Sequence, residues 1–357
     1  MFYRLLDLSD ELKWNNFLNK FNRKFRDVYF RPEYHSLYEN NGDGKAYCFF
    51  FSSKYGDVLY PFLKNSINDL GYELDKKYYD IQSVYGYSGC IYSNNNNLLK
   101  KKFHKVFSDF CKKSNIIAEF IRFHPLIKNQ NFSNQYLKIF KNRKTVILNL
   151  RQPYKNIFEK EYTSNNRNMI RKGSRELNFN ISSDIESLRL FKKNYLFTMK
   201  AIDAKKYYYF SDNYFSGIIK KLKKKSYIIN VFDKKKVVQN SMILFIDNDF
   251  AHYHLSGRSQ NCKSNASNNF MLDVAIKFAK EKGCKFFHFG GGSSTSESDS
   301  LLKFKSNFSK KKLNFFIGYK IHNRKIYDII CKNWESKNFE NNKKFKSFFL
   351  KYRIKLN

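Results

Sequence analysis

The chain has few residues that interrupt secondary structure and few that carry negative charge. Its 357 residues include 4 prolines and 14 glycines, and 31 acidic residues stand against 67 lysines and arginines. Phe, Tyr, Lys and Asn are used heavily instead, which we attribute partly to an AT-rich coding bias. The formal net charge of +36 still favours nucleic acid, an anionic membrane surface or a phosphorylated substrate as partner, but it says nothing about the fold.

The sequence also lacks a cysteine pattern and a long apolar run. Its six cysteines show no C-x-x-C spacing, so neither a zinc site nor a disulfide framework is indicated, and a reducing compartment fits best. The N-terminus has no uninterrupted apolar signal region, and no run of 18 apolar residues occurs. We therefore predict a cytoplasmic protein, with peripheral contact at the inner face of the membrane left open.

Length and element order predict two similar domains. A chain of 357 residues exceeds one typical core, and 42% apolar residues suffice for two. The order helix, hairpin, helix, strand occurs once in each half, which indicates an internal duplication. We predict an α/β fold, or mixed α+β, with domain limits at 1–145 plus 319–357 and at 146–318.

A glycine-rich turn followed by a lysine is the most informative local pattern. Three glycines follow a predicted strand at 286–289, and they leave backbone N–H groups accessible to a ligand. Phe304 and Phe308 are spaced to anchor a short helix, with Lys303 or Lys305 directed toward the turn. The alternative is a tight β-to-α turn with a solvated lysine. The predicted substrate-binding glycines are Gly290, Gly291 and Gly292.

A basic helix is predicted to open the second half. Thr163 or Ser164 can cap its N-terminus. Arg167, Arg171 and Arg175 recur every four residues on one face, where guanidinium groups could bind phosphate or carboxylate. The alternative is a solvated helix face.

An aromatic and glycine-rich loop in the first half is a second candidate for ligand contact. An aromatic turn that caps the core fits this pattern equally well. The strand AEFIRFHPL follows, and alternation places Arg122 and His124 on one of its faces. The predicted ligand-contacting loop residues are Tyr85, Gly86, Tyr87 and Gly89.

Three histidines lie on two predicted neighbouring strands. His252 and His254 alternate with Tyr253, and His288 follows on the next strand. No carboxylate stands at ligand spacing, so we predict no metal site. His254 is instead a candidate general base or acceptor-orienting group, because an ordinary imidazole pKa of about 6.5 suits proton removal from an ammonium.

Motifs along the chain resemble one known family. They are VYGYSGC, FIRFHPL, NNRNMIRKG, YHLSG, the helix that ends at Gly283, HFGGG and LLKFKSNF. Their order and spacing resemble the FemAB-like branch of the GNAT acyltransferase superfamily, over most of the chain. That branch includes peptidoglycan interpeptide-bridge aminoacyltransferases and related acyltransferases of surface-polysaccharide clusters. The resemblance implies two tandem GNAT-like domains, with the C-terminal segment completing the first, and no coiled-coil arm.

The resemblance also implies roles for individual residues. The family's signature lysine matches Lys305, with stabilisation of a tetrahedral oxyanion or of donor phosphate as its implied role. The basic helix that holds acceptor phosphates matches Arg167, Arg171 and Lys172, and the aromatic-glycine loop matches Tyr85 to Gly89. Acyl transfer to an amine needs orientation and oxyanion stabilisation more than a dedicated nucleophile, which agrees with these residue types.

The acyl donor stays open between aminoacyl-tRNA and acyl-CoA. A conventional GNAT cradles pyrophosphate on a glycine-rich loop before its central helix, whereas GRSQNCKSNASNNFML has no glycine after Gly257. The net charge suits tRNA, but relatives in polysaccharide clusters are regarded as acetyl- or acyltransferases. No bound cofactor is predicted.

The sequence therefore predicts an acyl- or aminoacyltransferase. Its expected product is an amide on an amino group of a nucleotide- or lipid-linked cell-envelope glycan precursor, such as a peptidoglycan or polysaccharide intermediate. The alternative from another class is a non-catalytic protein that binds RNA or a membrane surface, favoured by the Lys- and Phe-rich tail KKFKSFFLKYRIKLN. The oligomeric state is not predicted.

Overall fold

The structure is a computed structural model that describes residues 1–345 and 347–355. The described chain divides into two compact units. Unit 1 consists of Met1–Asn22, Tyr29–Lys141 and Phe315–Asn357, and unit 2 consists of Arg23–Val28 and Asn142–Asn314. The domain limits given by the sequence stay a prediction.

The described residues form strands and helices in alternation along both units. The strands are β1 Phe2–Leu6, β2 Lys45–Ser53, β3 Gly56–Ser66, β4 Tyr79–Gln82, β5 Ile91–Tyr92, β6 Ile116–Arg122, β7 Lys138–Asn149, β8 Leu177–Ser182, β9 Ser226–Asp233, β10 Val238–Asp247, β11 Phe250–Arg258, β12 Phe286–Gly291 and β13 Lys312–Ile321. The helices are α1 Glu11–Asn19, α2 Pro32–Asn40, α3 Asn97–Lys113, α4 Gln130–Ser133, α5 Tyr154–Asn156, α6 Ser164–Glu176, α7 Ile185–Ala201, α8 Asp212–Leu222, α9 Ser267–Glu281, α10 Ser300–Ser306, α11 Arg324–Lys337 and α12 Asn342–Phe345.

Unit 1 is built on a mixed sheet with the strand order β1-β2-β3-β4-β6-β13, to which β5 adds by pairing with β3. The strands pair antiparallel except β4 and β6, which run parallel. Helix α3 packs Phe103 and Phe107 against Phe49 of β2. Helix α11 and the C-terminal segment form a second buried cluster that includes Trp334 and Tyr352.

In unit 2 the strands have the order β7-β12-β11-β10-β9-β8, where β11 and β12 are parallel and the other neighbouring pairs are antiparallel. Helices α6 and α9 pack on one face of it, over a core that includes Leu244 and Phe287. Helix α7 carries Phe191 and Tyr195, whose rings contact Phe215 of α8.

The termination of α9 shows how local sequence sets the unit 2 frame. The chain leaves α9 through Gly283, whose φ of +78° places it in the left-handed region that glycine adopts at helix ends. Its N–H donates to the Lys280 carbonyl, and the next N–H, of Cys284, donates to Ala279. Strand β12 then begins at Phe286, so the helix is connected directly to the strand that carries the glycine run.

The predicted mixed α/β architecture is confirmed, and the described chain divides into two units. The longest helices in the described part of the chain, α3 and α7, have 17 residues each, and those residues form no coiled-coil arm. None of the helices formed by residues 1–345 and 347–355 has the length and apolar character that a membrane span requires.

Candidate active site

The unit 2 sheet opens between two parallel strands. β11 and β12 pair only where Phe250–His252 lies beside Phe286–His288. Beyond these residues, β11 continues with β10 as far as Arg258, and β12 continues with β7 as far as Gly291. The two strands therefore part at their C-terminal ends, which is the edge of an α/β sheet where ligands bind.

The glycine run lines this opening, and its members serve different structural purposes. Gly290 has φ of +76°, at the point where the register between β12 and β7 shifts. A Cβ on Gly292 would lie 2.4 Å from Oδ1 of Asp299, so a side chain there would collide with that carboxylate. The glycines thus let the chain bulge out of the sheet and let Asp299 approach the backbone.

Asp299 organises the turn between β12 and α10. Its carboxylate accepts hydrogen bonds from Ser293 Oγ at 2.6 Å, from Ser294 N at 2.8 Å and from Leu302 N at 2.9 Å. Burial opposes ionisation of this carboxyl, but the hydrogen bonds from Ser293, Leu302 and Ser294 outweigh that effect and lower its pKa. An ionised Asp299 therefore caps the N-terminus of α10.

Lys305 projects from α10 into the opening. Its Nζ donates to the Gly291 carbonyl at 2.7 Å and lies 5.4 Å from the ring centroid of Tyr253 on β11. The residue is 7% exposed, whereas Lys303 on the same helix is exposed. Phe308 is fully buried in the unit 2 core, with Phe304 packed against it. The two rings hold α10 in place while the ammonium lies between the parted strands.

The surroundings of Lys305 bring its titration into the neutral range. Burial lowers its pKa to about 7; the nearby Asp299 carboxylate raises it in part, and the Arg143 guanidinium lowers it further. Lys305 is therefore about half protonated near pH 7, and it can either donate a hydrogen bond as a cation or accept a proton as an amine.

The structure adds residues to this site that the sequence interpretation did not include, and Asp299 is one of them. Arg143 donates from Nη1 to the Gly292 carbonyl at 2.9 Å, next to the carbonyl that Lys305 holds. Tyr253 forms a side-chain hydrogen bond with Ser256. Arg143 lies in the polar first part of β7, which begins at Lys138.

His254 does not join Lys305. Successive strand residues face opposite sides of a sheet, and Tyr253 packs against the core on the α9 side. His254 instead contacts the ring of Phe245 at 4.3 Å and the hydroxyl of Tyr214 on α8 at 2.6 Å. Burial, together with His252, lowers its pKa to about 3. The assignment of His254 as general base is therefore corrected, because its imidazole lies on the opposite face and is a weak base.

The basic helix forms as predicted, but its basic side chains contact other parts of the chain or solvent. Thr163 caps α6 by accepting from Asn166 N. Arg167 donates from Nη1 to the carbonyls of Tyr162 at 2.6 Å and Glu159 at 3.2 Å, so its guanidinium supports the preceding turn. Arg171 is exposed and lies over the Phe158 ring at 5.3 Å.

Lys172 is directed to the loop before α9. Its Nζ donates to Asn265 Oδ1 at 3.2 Å. In the same loop, Lys263 N and Ser264 N donate to Gln239 Oε1 at 2.8 and 3.1 Å. Two backbone amides of this loop are therefore engaged by the Gln239 side chain.

The aromatic-glycine loop of unit 1 lies beside the end of β6. Gly86 has φ of +92°, and the ring of Tyr29 fills the space where its Cβ would lie, at 2.4 Å. A Cβ on Gly89 would lie 2.7 Å from Nδ2 of Asn129. These contacts support the interpretation of a packed aromatic turn, because the loop backbone meets other residues of its own unit on these sides.

The other predicted residues of unit 1 gather around this loop. The Tyr87 ring lies 5.5 Å from that of His124, which is fully buried. Arg122 donates from Nη1 to the Ser83 carbonyl at 3.2 Å, and the Tyr85 carbonyl accepts from the hydroxyl of Tyr34 at 2.8 Å. Unit 1 thus brings its predicted residues into one cluster, and unit 2 brings Lys305 and the glycine run into another.

Comparisons with known proteins identify the fold. FemX superimposes with a TM-score of 0.67 at 14% identity, covering 92% of this chain and 100% of FemX. L-PGS from Bacillus licheniformis gives a TM-score of 0.55 at 14% identity, covering 87% of this chain and 92% of that one. The C-terminal domain of a putative lysylphosphatidylglycerol synthetase from Agrobacterium fabrum gives 0.54 at 11% identity, covering 89% and 92%.

No protein-family model matches the chain, and no curated protein matches it. The likeness is therefore one of structure, and it extends over nearly the whole of both chains in each comparison. The chain has the fold of FemX, which agrees with the fold that the resemblance of its sequence motifs predicts.

Proposed function

We propose that the chain is an acyl- or aminoacyltransferase. Its product is an amide on an amino group of a nucleotide- or lipid-linked cell-envelope glycan precursor. The fold supports the reaction class, since it is shared with FemX. The observation that carries the proposal is the Lys305 ammonium, which lies between the parted strands β11 and β12 with its Nζ 2.7 Å from the Gly291 carbonyl.

The proposed chemistry requires few groups. A neutral acceptor amine attacks the acyl carbonyl of the donor, a C–N bond forms, and the tetrahedral intermediate carries negative charge on the former carbonyl oxygen. Lys305, as a cation, stabilises that charge, and Arg143 adds positive potential beside it. The bond to the donor oxygen or sulfur then breaks, and the amine proton leaves with the donor group or to solvent. His254 takes no part in this sequence.

Contacts in unit 2 favour aminoacyl-tRNA over acyl-CoA as the donor. The loop before α9 has two of its backbone N–H groups bonded to Gln239. Helix α6 packs closely on the start of α9, since a Cβ on Gly173 would lie 2.5 Å from Cβ of Phe270. A pyrophosphate that needed these amides would first have to displace Gln239.

Acceptor phosphates have two candidate ligands on α6. Arg171 and Lys172 present cationic groups near the surface, where phosphate contact costs little desolvation. Arg167 is a weaker candidate, because its guanidinium already bonds two carbonyls. Membrane contact at the inner face and the predicted domain limits, 1–145 plus 319–357 and 146–318, belong to the same proposal.

The rival function, a basic binding protein, loses part of the feature that favoured it, because three of the four aromatic residues of the tail pack in unit 1 while Phe348 is exposed. In the C-terminal tail, Phe345, Phe349 and Tyr352 belong to or pack against the unit 1 core. Arg353 forms an ion pair with buried Asp80 at 2.6 Å. Lys346, Leu356 and Asn357 of that tail lie outside the described residues. Rings that pack in the core are not available to stack on bases.

A transfer assay with a matched pair of variants tests the proposal. The purified chain is incubated with labelled aminoacyl-tRNA or labelled acetyl-CoA and an amino-sugar nucleotide, and label in the amide product is counted. Loss of an oxyanion donor typically lowers kcat by about 10² to 10³, so Lys305→Met should lose most transfer while Lys303→Met retains it. Equal transfer by both variants would refute the catalytic assignment, and no transfer from either donor by the parent chain would refute the function.

A further inference from the structure

Unit 1 has an open cavity that the proposed acyl transfer does not use. Its volume is about 680 Å³, which is within the usual range of small-ligand sites. It is lined by the segment around Tyr136 and Lys138, by the end of β13, by α11 and by Phe349.

The cavity is lined by basic side chains and by no acidic ones. Lys138, Lys320 and Arg324 line the cavity, and the lining includes no carboxylate. Arg324 has an ion pair with Asp328 at 2.9 Å. Within residues 1–345 and 347–355, Lys138 and Lys320 have no acidic side chain at ion-pair distance. An anion in the cavity would therefore meet two unpaired ammonium groups.

Lys320 is the stronger indication of an anion site, because its side chain is half-buried whereas that of Lys138 is exposed. Its partner across the strand pair is Glu119 of β6, but that carboxylate is held by His322 at 3.2 Å and by the Tyr60 hydroxyl at 3.2 Å. Burial lowers the pKa of His104 to about 3, and the field of Lys320 contributes to this. A half-buried cation beside a neutral imidazole is compensated when an anion enters the cavity.

The cavity also contains an aromatic ring, that of Tyr136, on which a planar ligand could stack. Tyr136 stacks on His104 with ring centroids 4.2 Å apart and an angle of 15° between the planes. Tyr136 also lines the cavity and is partly exposed, so its ring is available to a ligand there. Phe349 stacks on both Tyr319 and Tyr327, and the three rings supply an apolar wall.

We propose that this cavity binds a nucleoside phosphate, with the base stacked on Tyr136 and the phosphate held by Lys320 and Lys138. Aromatic stacking and charge-assisted hydrogen bonds are the two interactions that recognise such a ligand. The residues that line the site belong to unit 1, whereas Lys305 belongs to unit 2. A free nucleotide and the terminal nucleotide of an RNA present the same chemistry.

Isothermal titration calorimetry with AMP tests the proposal. Binding should be saturable at one site, with adenosine and inorganic phosphate each binding more weakly than AMP. Lys320→Met and Tyr136→Leu should each weaken AMP binding about tenfold or more, since a charged hydrogen bond or a stacked base contributes at least that much. Lys325→Met, a change of one exposed lysine on α11 outside the cavity lining, should leave binding unchanged.

Three outcomes would overturn the proposal: no AMP binding at millimolar concentration, equal affinities for AMP and inorganic phosphate, or unchanged affinity in both cavity variants. Lys138→Met gives a second reading should Lys320→Met fold poorly. Binding should persist in Lys305→Met, which separates this site from the proposed active site. A 5′-phosphorylated RNA tetranucleotide that binds more tightly than AMP, with the same sensitivity to Lys320→Met, would identify RNA as the source. Tighter binding of AMP would identify a free nucleotide.

Discussion

Replacing Lys305 should stabilise the fold at low pH while it removes activity. The pKa of this lysine falls from 10.5 to about 7 through burial, partly offset by Asp299. The two values differ by about 3.5 pH units, which corresponds to roughly 5 kcal/mol of unfavourable free energy when the native state must hold the proton. Lys305→Met keeps most of the side-chain volume and removes the charge. The lost hydrogen bond to Gly291 offsets about 1–2 kcal/mol of the gain.

The pH dependence follows from proton binding. Below pH 7 both the native and the unfolded state hold the Lys305 proton, so the penalty is complete. Between pH 7 and 10.5 the unfolded state binds one proton more, so the stability of the parent chain rises relative to that of Lys305→Met by about 1.4 kcal/mol per pH unit. The variant should therefore be the more stable protein at pH 6, and its advantage should decrease steadily from pH 7.5 to 9.5.

Urea unfolding at pH 6, 7.5, 8.5 and 9.5 measures this difference. Both tryptophans, Trp14 and Trp334, belong to unit 1, so fluorescence reports that unit while far-ultraviolet circular dichroism reports both. The change should appear in the circular dichroism transition and be absent from the fluorescence transition. Lys303→Met, at an exposed position of the same helix, serves as the control. Parallel stability curves for the parent chain and Lys305→Met would show that the lysine titrates normally and refute the reasoning.

Four further predictions follow from the contacts described above. Arg167→Ala should cost about 1–3 kcal/mol of stability, because two carbonyls lose their donor, whereas Arg171→Ala should cost under 0.5 kcal/mol; thermal unfolding compares them. Gly257→Ala should cost about 3 kcal/mol or more, because its Cβ would lie 2.3 Å from the α7 backbone, whereas Gly283→Ala, in open space, should cost only about 1 kcal/mol of backbone strain. His254→Asn should keep kcat within about threefold of the parent value from pH 6 to 9, since its imidazole is already neutral there, and a larger loss would restore it as a catalytic candidate. Acetyl-CoA at millimolar concentration should leave the melting temperature nearly unchanged, whereas a ligand at 100 times its Kd would add about 2.7 kcal/mol, and a large upward shift would favour acyl-CoA as donor.

Local spacing was sufficient to predict the neighbourhood of Lys305. The glycine run, the N-cap and the paired phenylalanines are all within twenty residues of one another, so the direction of a short helix determines where its lysine points. The Thr163 cap of α6 was predictable for the same reason. Interactions between residues within about one helical turn of each other, such as caps and i, i+4 pairs, depend little on the rest of the chain.

Contacts between distant segments were not predictable in this way. The alternation in YHLSG places His254 opposite Tyr253, but it does not indicate which face α10 covers, so the sequence alone predicts both His254 and Lys305 as catalytic residues. Arg167 has helical spacing typical of a phosphate site, yet carbonyls of the preceding turn compete for its guanidinium. The aromatic residues of the tail resemble a nucleic-acid surface by composition, and only the folded chain shows that Phe345, Phe349 and Tyr352 pack in the cluster that contains α11.

The discontinuity of unit 1 has a consequence for synthesis on the ribosome. Residues 142–314 form most of unit 2 and are translated before β13 and α11, which belong almost entirely to unit 1. Until those last residues emerge, β6 lacks its β13 partner and the cluster around Ile117 lacks Trp334 and Tyr352. The half that begins the chain therefore finishes folding last, and an apolar edge strand stays open while the second half is made. We therefore expect chaperone contact with residues 45–122 of the nascent chain to be important for preventing aggregation during synthesis.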